Sequence, residues 1–132
     1  MSLADALVYL RPGIDLAATL IGDRNGVAVI ERWADPRPQP TPAEIDAAVL
    51  PAAKAKRIET INAECRARLI ARFGPAEEQV SRSVGVYGAA EQQALASGIA
   101  ATIDASNTAQ NAILAAADIA AVEAVTVAWP VI

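Results

Sequence analysis

The side chains that most often carry out chemistry in proteins are scarce in this sequence. It has no histidine and a single cysteine, Cys65, so histidine-based triads, most metal sites and an internal disulfide are excluded. Glu77 and Glu78 are adjacent, and adjacent side chains on a helix point apart, so they cannot face one substrate as an acid–base pair. Ser81 and Ser83 have no histidine to activate them. We therefore expect a non-enzymatic protein with no catalytic residue, no cofactor and no metal ion.

The glycine-containing segment GDRNG (22–26) is the closest approach to a ligand-binding loop. It lacks the length and the following helix of a P-loop or a dinucleotide fingerprint, and it lacks the alternating oxygen ligands of a calcium loop. Asn25 and Gly26 both tolerate positive φ, which is typical of a tight β-hairpin turn. The segment therefore predicts a turn.

Composition and charge favour a protein partner. Of the 132 residues, only 4% are aromatic, and much of the 54% hydrophobic fraction is alanine, which buries little area per residue. Such a chain needs a partner or self-association, and we expect a homo-oligomer, with a trimer favoured. Residues 54–72 are basic, but they lack interleaved aromatic residues and lie between acidic segments, which argues against nucleic acid. No apolar run is long enough to span a membrane.

The first part of the chain, residues 1–34, reads as a small antiparallel sheet. Three β-prone runs, ALVYL (6–10), AATLI (17–21) and VAVIERW (27–33), are separated by turn signals and predict a three-stranded meander. Val29 and Trp33 share one face of the third run, and Tyr9 lies in the first. A sheet this small needs a helix or another chain over its apolar face, so we interpret this region as a docking region.

Residues 35–42 form a proline-rich spacer. Pro36, Pro38, Pro40 and Pro42 alternate, which favours extended polyproline II. A proline-motif ligand for an adaptor domain is the alternative. Thr41 is a good N-cap, Pro42 suits the first helical position, and Glu44 completes a capping box, so a helix is predicted to begin here.

The residues from 43 to 125 predict an alanine-rich helical body, which makes the fold class α+β. The first helix bends or restarts at Pro51 and ends at Gly74; the second, from residue 89, is either continuous or broken near Asn107. Apolar spacing predicts a helix core of Ile58, Ile61, Cys65, Leu69, Phe73, Leu95, Ile99 and Ile103.

Two features of this body and of the chain that follows it bear on partners. The polar residues of the second helix either form layers in an oligomeric seam or lie on the outer face; they are Gln92, Asn107, Gln110 and Asn111. Residues 126–132 predict an apolar tail or a C-terminal strand that docks, as an added strand on the N-terminal sheet in one version.

Four segments carry a resemblance to a known group of proteins. The segments LVYLRPG (7–13), IERWAD (30–35), PTPAEIDAA (40–48) and VAWP (127–130) resemble those of small tail-associated proteins of tailed bacteriophages and prophages. The resemblance implies a role in tail structure or assembly, with Trp33, Pro36 and Trp129 as packing or docking positions. It implies no catalytic residue.

Together these observations predict a virion component of the tail tip or fibre attachment region, made in the host cytoplasm, whose partners are other tail or fibre proteins. A tail or fibre assembly chaperone that is absent from finished particles is the alternative, and a host-directed regulator is a third. The candidate partner contacts are Tyr9, Val29, Trp33 and Trp129.

Overall fold

A computed structural model describes residues 3–75, 79 and 88–131, and it confirms the α+β class. The chain divides into two compact units, Met1–Ala55 and Lys56–Ile132. In chain order the elements are α1 (Leu3–Leu10), β1 (Leu20–Arg24), β2 (Val27–Arg32), α2 (Pro42–Phe73), α3 (Ala89–Ala115) and α4 (Ile119–Ala124).

The predicted meander is wrong at its first strand, because residues 3–10 form helix α1. The alanine and leucine residues around the run favour a helix, and Asp5 lies in its first turn, where a carboxylate is stabilising. A hydrogen bond from the Arg11 amide to the Leu7 carbonyl (2.8 Å) closes the last turn of the helix. Tyr9 therefore lies on a helix, and the sheet of the described residues has two strands.

The hairpin turn is confirmed. Asn25 and Gly26 have φ values of 56° and 80°, and the strands pair from Arg24↔Val27 outward. The second predicted run began too early, because the Asp15 carboxylate accepts the Ala17 amide (3.0 Å) and holds the chain in a turn until β1 begins at Leu20. Only the later part of that run is strand.

The predicted start and end of α2 are both confirmed. The Glu44 amide donates to the Thr41 hydroxyl (3.2 Å), and the Thr41 amide donates to the Glu44 carboxylate (3.3 Å), which together form the capping box. At the other end Gly74 has φ +81°, and its amide donates to the Ile70 carbonyl (2.9 Å). Between these ends the helix is unbroken through Pro51.

In the C-terminal unit, α2 and α3 pack as an antiparallel pair. Near one end the Phe73 ring lies against Gly98, and further along Gln110 Nε2 donates to Asn62 Oδ1 (2.8 Å). Four of the predicted core residues are buried: Ile61, Cys65, Phe73 and Leu95. Three more are half-buried: Ile58, Leu69 and Ile99.

The prediction of Ile103 as core is wrong, because its side chain is 40% exposed. The buried face of α3 passes instead through Leu95, Thr102, Ser106, Ala109 and Ile113. Thr102 can be buried without loss of its hydrogen bond, because its hydroxyl donates to the Gly98 carbonyl of the same helix (2.8 Å). The spacing of apolar residues alone does not predict this buried face, because two of its members, Thr102 and Ser106, carry hydroxyl groups.

Helix α3 runs through Asn107 without a break and ends at Ala115. Asp118 then caps α4 by accepting the Ala121 amide (2.8 Å). Of the two alternatives for residues 126–132, the C-terminal strand is wrong, because residues 125–131 are assigned to no strand, and the apolar tail remains.

Candidate partner-binding surfaces

In the N-terminal unit, two arginine side chains fasten the proline-rich segment 35–42 to the α1–β1 connection, each by donating to backbone carbonyls of the other segment. Arg37 donates to the carbonyls of Pro12 (2.9 Å) and Arg11 (3.4 Å). In return, Arg11 donates to the Pro38 carbonyl from Nε (3.1 Å) and Nη2 (2.9 Å). These carbonyls lie outside helices and strands, so the guanidinium groups supply the partners that secondary structure does not. We call Arg11, Trp33, Asp35 and Arg37 the arginine clasp.

Asp35 orients Arg37 within the clasp. Its carboxylate, which is 8% exposed, accepts from Arg37 Nε (2.8 Å) and Nη2 (2.7 Å), a bidentate pair, and from the Arg37 amide (2.8 Å). The side-chain hydrogen bond from Arg37, followed by the backbone one, lowers the pKa of Asp35 from 3.8 to about 2. Asp35 is therefore charged at any pH at which the protein would work.

Trp33 completes the clasp and is not simply a free contact residue. Its indole Nε1 donates to the Arg37 carbonyl (2.7 Å), and the ring is half-buried. Sequence reasoning missed Arg11, Asp35 and Arg37. One sequence signal points to the two arginines: each adjoins a proline, in RP (11–12) and in PRP (36–38). Segments that contain proline seldom pair in a sheet or continue a helix, so their carbonyls need other hydrogen-bond donors.

A groove of about 410 Å³ lies in the same unit, between β2 and the start of α2. Four consecutive strand residues line one side, and because alternate side chains point to opposite faces, the groove follows the edge of β2. Its ten lining residues are Leu3, Val27, Ala28, Val29, Ile30, Gln39, Pro40, Pro42, Ile45 and Asp46. Val27 is 62% exposed, and Val29 is half-buried. Of the four candidate contacts, Val29 alone lines this groove.

Tyr9 and Trp129 lie elsewhere. Tyr9 is 46% exposed on α1, beside the exposed Val8, and it does not line the groove. Trp129, in the C-terminal unit, is half-buried under Arg68, whose guanidinium carbon is 4.7 Å from the ring centroid. The structure therefore does not bring the four predicted residues into one site.

The tail that carries Trp129 runs along α2. Arg57 donates to the Val125 carbonyl (3.1 Å), Arg68 covers Trp129, and Pro130 and Val131 line a cleft with Arg72 and Phe73. The two contacts are separated by similar lengths on both segments. Residues 57–68 span about 16 Å along a helix, and residues 125–129 span about 13 Å in an extended chain. The tail is thus fastened to helix α2; the version in which it docks as an added strand is wrong, because residues 125–131 form no strand.

Two further findings concern residues 3–75, 79 and 88–131, which the structure describes. Within them, no group of three or more histidine, cysteine, aspartate or glutamate side chains could hold a metal ion. In the same part of the chain, no helix has the length and apolar character needed to span a bilayer.

Residues 3–57, which are 55 of the 132 residues, match the XkdW protein family. The match supports a protein of phage or prophage origin. Its range coincides closely with the N-terminal compact unit and includes the arginine clasp and the groove. No curated protein and no solved structure matches the chain.

Proposed function

We propose that this protein is a non-enzymatic structural or adaptor component of a phage tail, at the tip or the fibre attachment region, and that it works by binding other tail or fibre proteins. One observation carries the proposal. The family match ends at residue 57, two residues beyond the N-terminal unit, and that unit holds a largely apolar groove. A shared unit that holds such a groove suits recognition of another protein.

The groove suits an extended apolar segment of the partner. Such a segment can add to the edge of β2, where main-chain groups give affinity, while the walls select its side chains. Pro40 and Pro42 form part of the far wall, and the arginine clasp fixes the segment that leads into it. A wall held in place before binding loses less conformational entropy when the partner arrives.

An assembly chaperone is the second candidate, and the size of the groove favours it. Ten residues line the groove, whereas a stable interface uses roughly 20–30 residues on each side. A small contact suits binding that is later released. Both candidates use the same groove and differ in whether the protein stays in the finished particle.

The test places a charge in the groove. Val27→Asp introduces a carboxylate at an exposed groove position, and Val8→Asp is the matched control, because Val8 is 44% exposed in the same unit and does not line the groove. Particles are purified from cells that express each variant, and the copy number is measured by quantitative mass spectrometry. We expect a fixed copy number for the wild type and for Val8→Asp, and loss of Val27→Asp.

Each other outcome has a clear meaning. Absence of the wild type from finished particles, together with its recovery on an assembly intermediate, identifies the chaperone. Incorporation of Val27→Asp at the wild-type level rejects the groove as the binding site. Circular dichroism of each purified variant establishes that it is folded.

A further inference from the structure

One flank of α3 carries a second regular series of positions, beside its buried face. Its spacing alternates between four and three residues along the whole helix, which is the heptad pattern of helices that pack side by side. We call this series the outer seam; it consists of Ala89, Gln93, Ala96, Ala100, Ile103, Asn107, Gln110 and Leu114. Seven of these residues are exposed and Gln110 is half-buried.

The outer seam is uncharged. Over its 27 residues α3 has two charged side chains, Glu91 and Asp104, and neither belongs to the seam. A surface helix normally presents charged residues to water on its outer face. Here Leu114 is 61% exposed and Ile103 is 40% exposed on that face. This composition suits a surface that another helix covers.

The order of side-chain sizes indicates which helix that is. When two copies of the seam run antiparallel about a point between Ala100 and Ile103, a large residue meets a small one in three of the four layers. Ile103 lies opposite Ala100 of the other copy, Asn107 opposite Ala96, and Leu114 opposite Ala89. The fourth layer places Gln93 opposite Gln110, where Gln93 can donate to Gln110 Oε1, because Gln110 Nε2 already donates to Asn62 Oδ1 (2.8 Å) and Ser106 Oγ (2.9 Å). Large-to-small pairing keeps the separation of the helices even along the seam.

A parallel arrangement lacks this match. It places Ile103 on Ile103 and Ala100 on Ala100, so that crowded layers alternate with gaps, and gaps forfeit packing energy. A surface that complements itself under a two-fold rotation is the defining property of an isologous interface.

We propose that a second copy of this chain covers the outer seam, and that the two α3 helices pair antiparallel. The seam is about 38 Å long and about 10 Å wide, roughly 400 Å² per copy, which is below the standard interface size and predicts an equilibrium that depends on concentration. The pair replaces the trimer expected from the sequence, since three copies cannot all pair antiparallel in equivalent contacts. The seam lies outside residues 3–57, so its failure would leave the proposed function standing.

The first test measures the molar mass of the full chain by light scattering over a concentration series. Ile103→Glu places a charge in the seam, and Ile70→Glu is the matched control, since Ile70 is 56% exposed on α2. We expect a two-copy mass for the wild type and for Ile70→Glu. Ile103→Glu should raise the dissociation constant more than about tenfold, because a charge would be desolvated without a partner. A wild-type monomer at every concentration, or a trimer, overturns the proposal.

The second test reads the orientation through disulfide formation. Asn107→Cys and Ala96→Cys chains are mixed and oxidised; the wild type, whose Cys65 is buried, is the background control. The antiparallel pair predicts a mixed dimer of the two variants and little cross-linking of either alone. Efficient cross-linking of Asn107→Cys with itself would show a parallel arrangement and overturn the proposal.

Discussion

At the scale of single residues, the arginine clasp is the most specific feature of the N-terminal unit. Each guanidinium donates to backbone carbonyls that lie about 25 positions away in the chain, as in the contact of Arg37 with Pro12 (2.9 Å). A carboxylate that is 8% exposed aligns one of them. The clasp therefore depends on Asp35 remaining ionised, which makes its contribution dependent on pH.

Replacing Asp35 with asparagine tests this dependence. The folded-state pKa of Asp35 is lowered from 3.8 to about 2, so its stabilisation is present above pH 4 and is lost as the pH falls through 2. We expect Asp35→Asn to have a lower melting temperature than the wild type at pH 7, and the difference to shrink as the pH falls to 2, where about half of the Asp35 side chains of the folded protein are protonated. Thermal melts followed by circular dichroism at pH 7, 3 and 2 measure it.

Glu64→Gln is the matched control for that experiment. It removes a carboxylate from the Arg68–Glu64 pair, in which both side chains are 42% exposed, and exposed pairs contribute little. A constant difference between Asp35→Asn and the wild type at all three pH values would contradict the assignment of a lowered pKa to Asp35.

At the scale of elements, features determined by a few neighbouring residues were predictable and features determined by packing were not. The Asn25-Gly26 turn and the Thr41–Glu44 capping box involve residues at most three positions apart, and both formed as expected. By contrast, α1 was taken for a strand, because a five-residue apolar run fits either period.

The candidate site shows the same limit. Strand alternation predicts both Val29 and Trp33 as contacts, and the resemblance to phage tail proteins implies Trp129. Instead, Trp33 donates to the Arg37 carbonyl and Trp129 packs under Arg68. Both contacts join residues to a clasp or a helix whose position depends on tertiary structure, so no local pattern could reveal them.

The packing of α2 against α3 can be tested at Gly98. Glycine inside a helix normally costs about 0.5–1 kcal/mol relative to alanine, so Gly98→Ala should stabilise the protein if nothing occupied the space. A Cβ at this position would lie 2.5 Å from the tip of the Phe73 ring, which is buried. We therefore expect Gly98→Ala to destabilise the protein by about 1–3 kcal/mol, measured by denaturant unfolding.

The background with Phe73→Leu shows whether the ring is the cause. A shorter side chain frees the space, so in that background Gly98→Ala should be neutral or stabilising. Destabilisation of the same size in both backgrounds would mean that the Phe73 ring is not what limits position 98.

At the scale of the whole molecule, the groove and the outer seam share no residue and belong to different compact units. Mutations at independent sites act additively, so the two surfaces should fail separately. We expect Val27→Asp to keep the two-copy mass of the wild type while it loses the tail or fibre partner. Ile103→Glu should become monomeric and still bind the tail or fibre partner through the groove.

The monomeric variant Ile103→Glu should nevertheless bind assembled particles less tightly than the wild type. Two grooves in one two-copy assembly raise the effective concentration of the second groove once the first is bound. When two grooves engage neighbouring copies of a tail protein, the second contact is intramolecular, and its loss weakens overall binding by about 10²-fold or more. Titration of isolated tail or fibre protein against both forms should therefore show equal affinity for a single soluble partner copy and a large difference on assembled particles. Dissociation of the pair by Val27→Asp would show instead that the two surfaces are coupled, and would reject their independence.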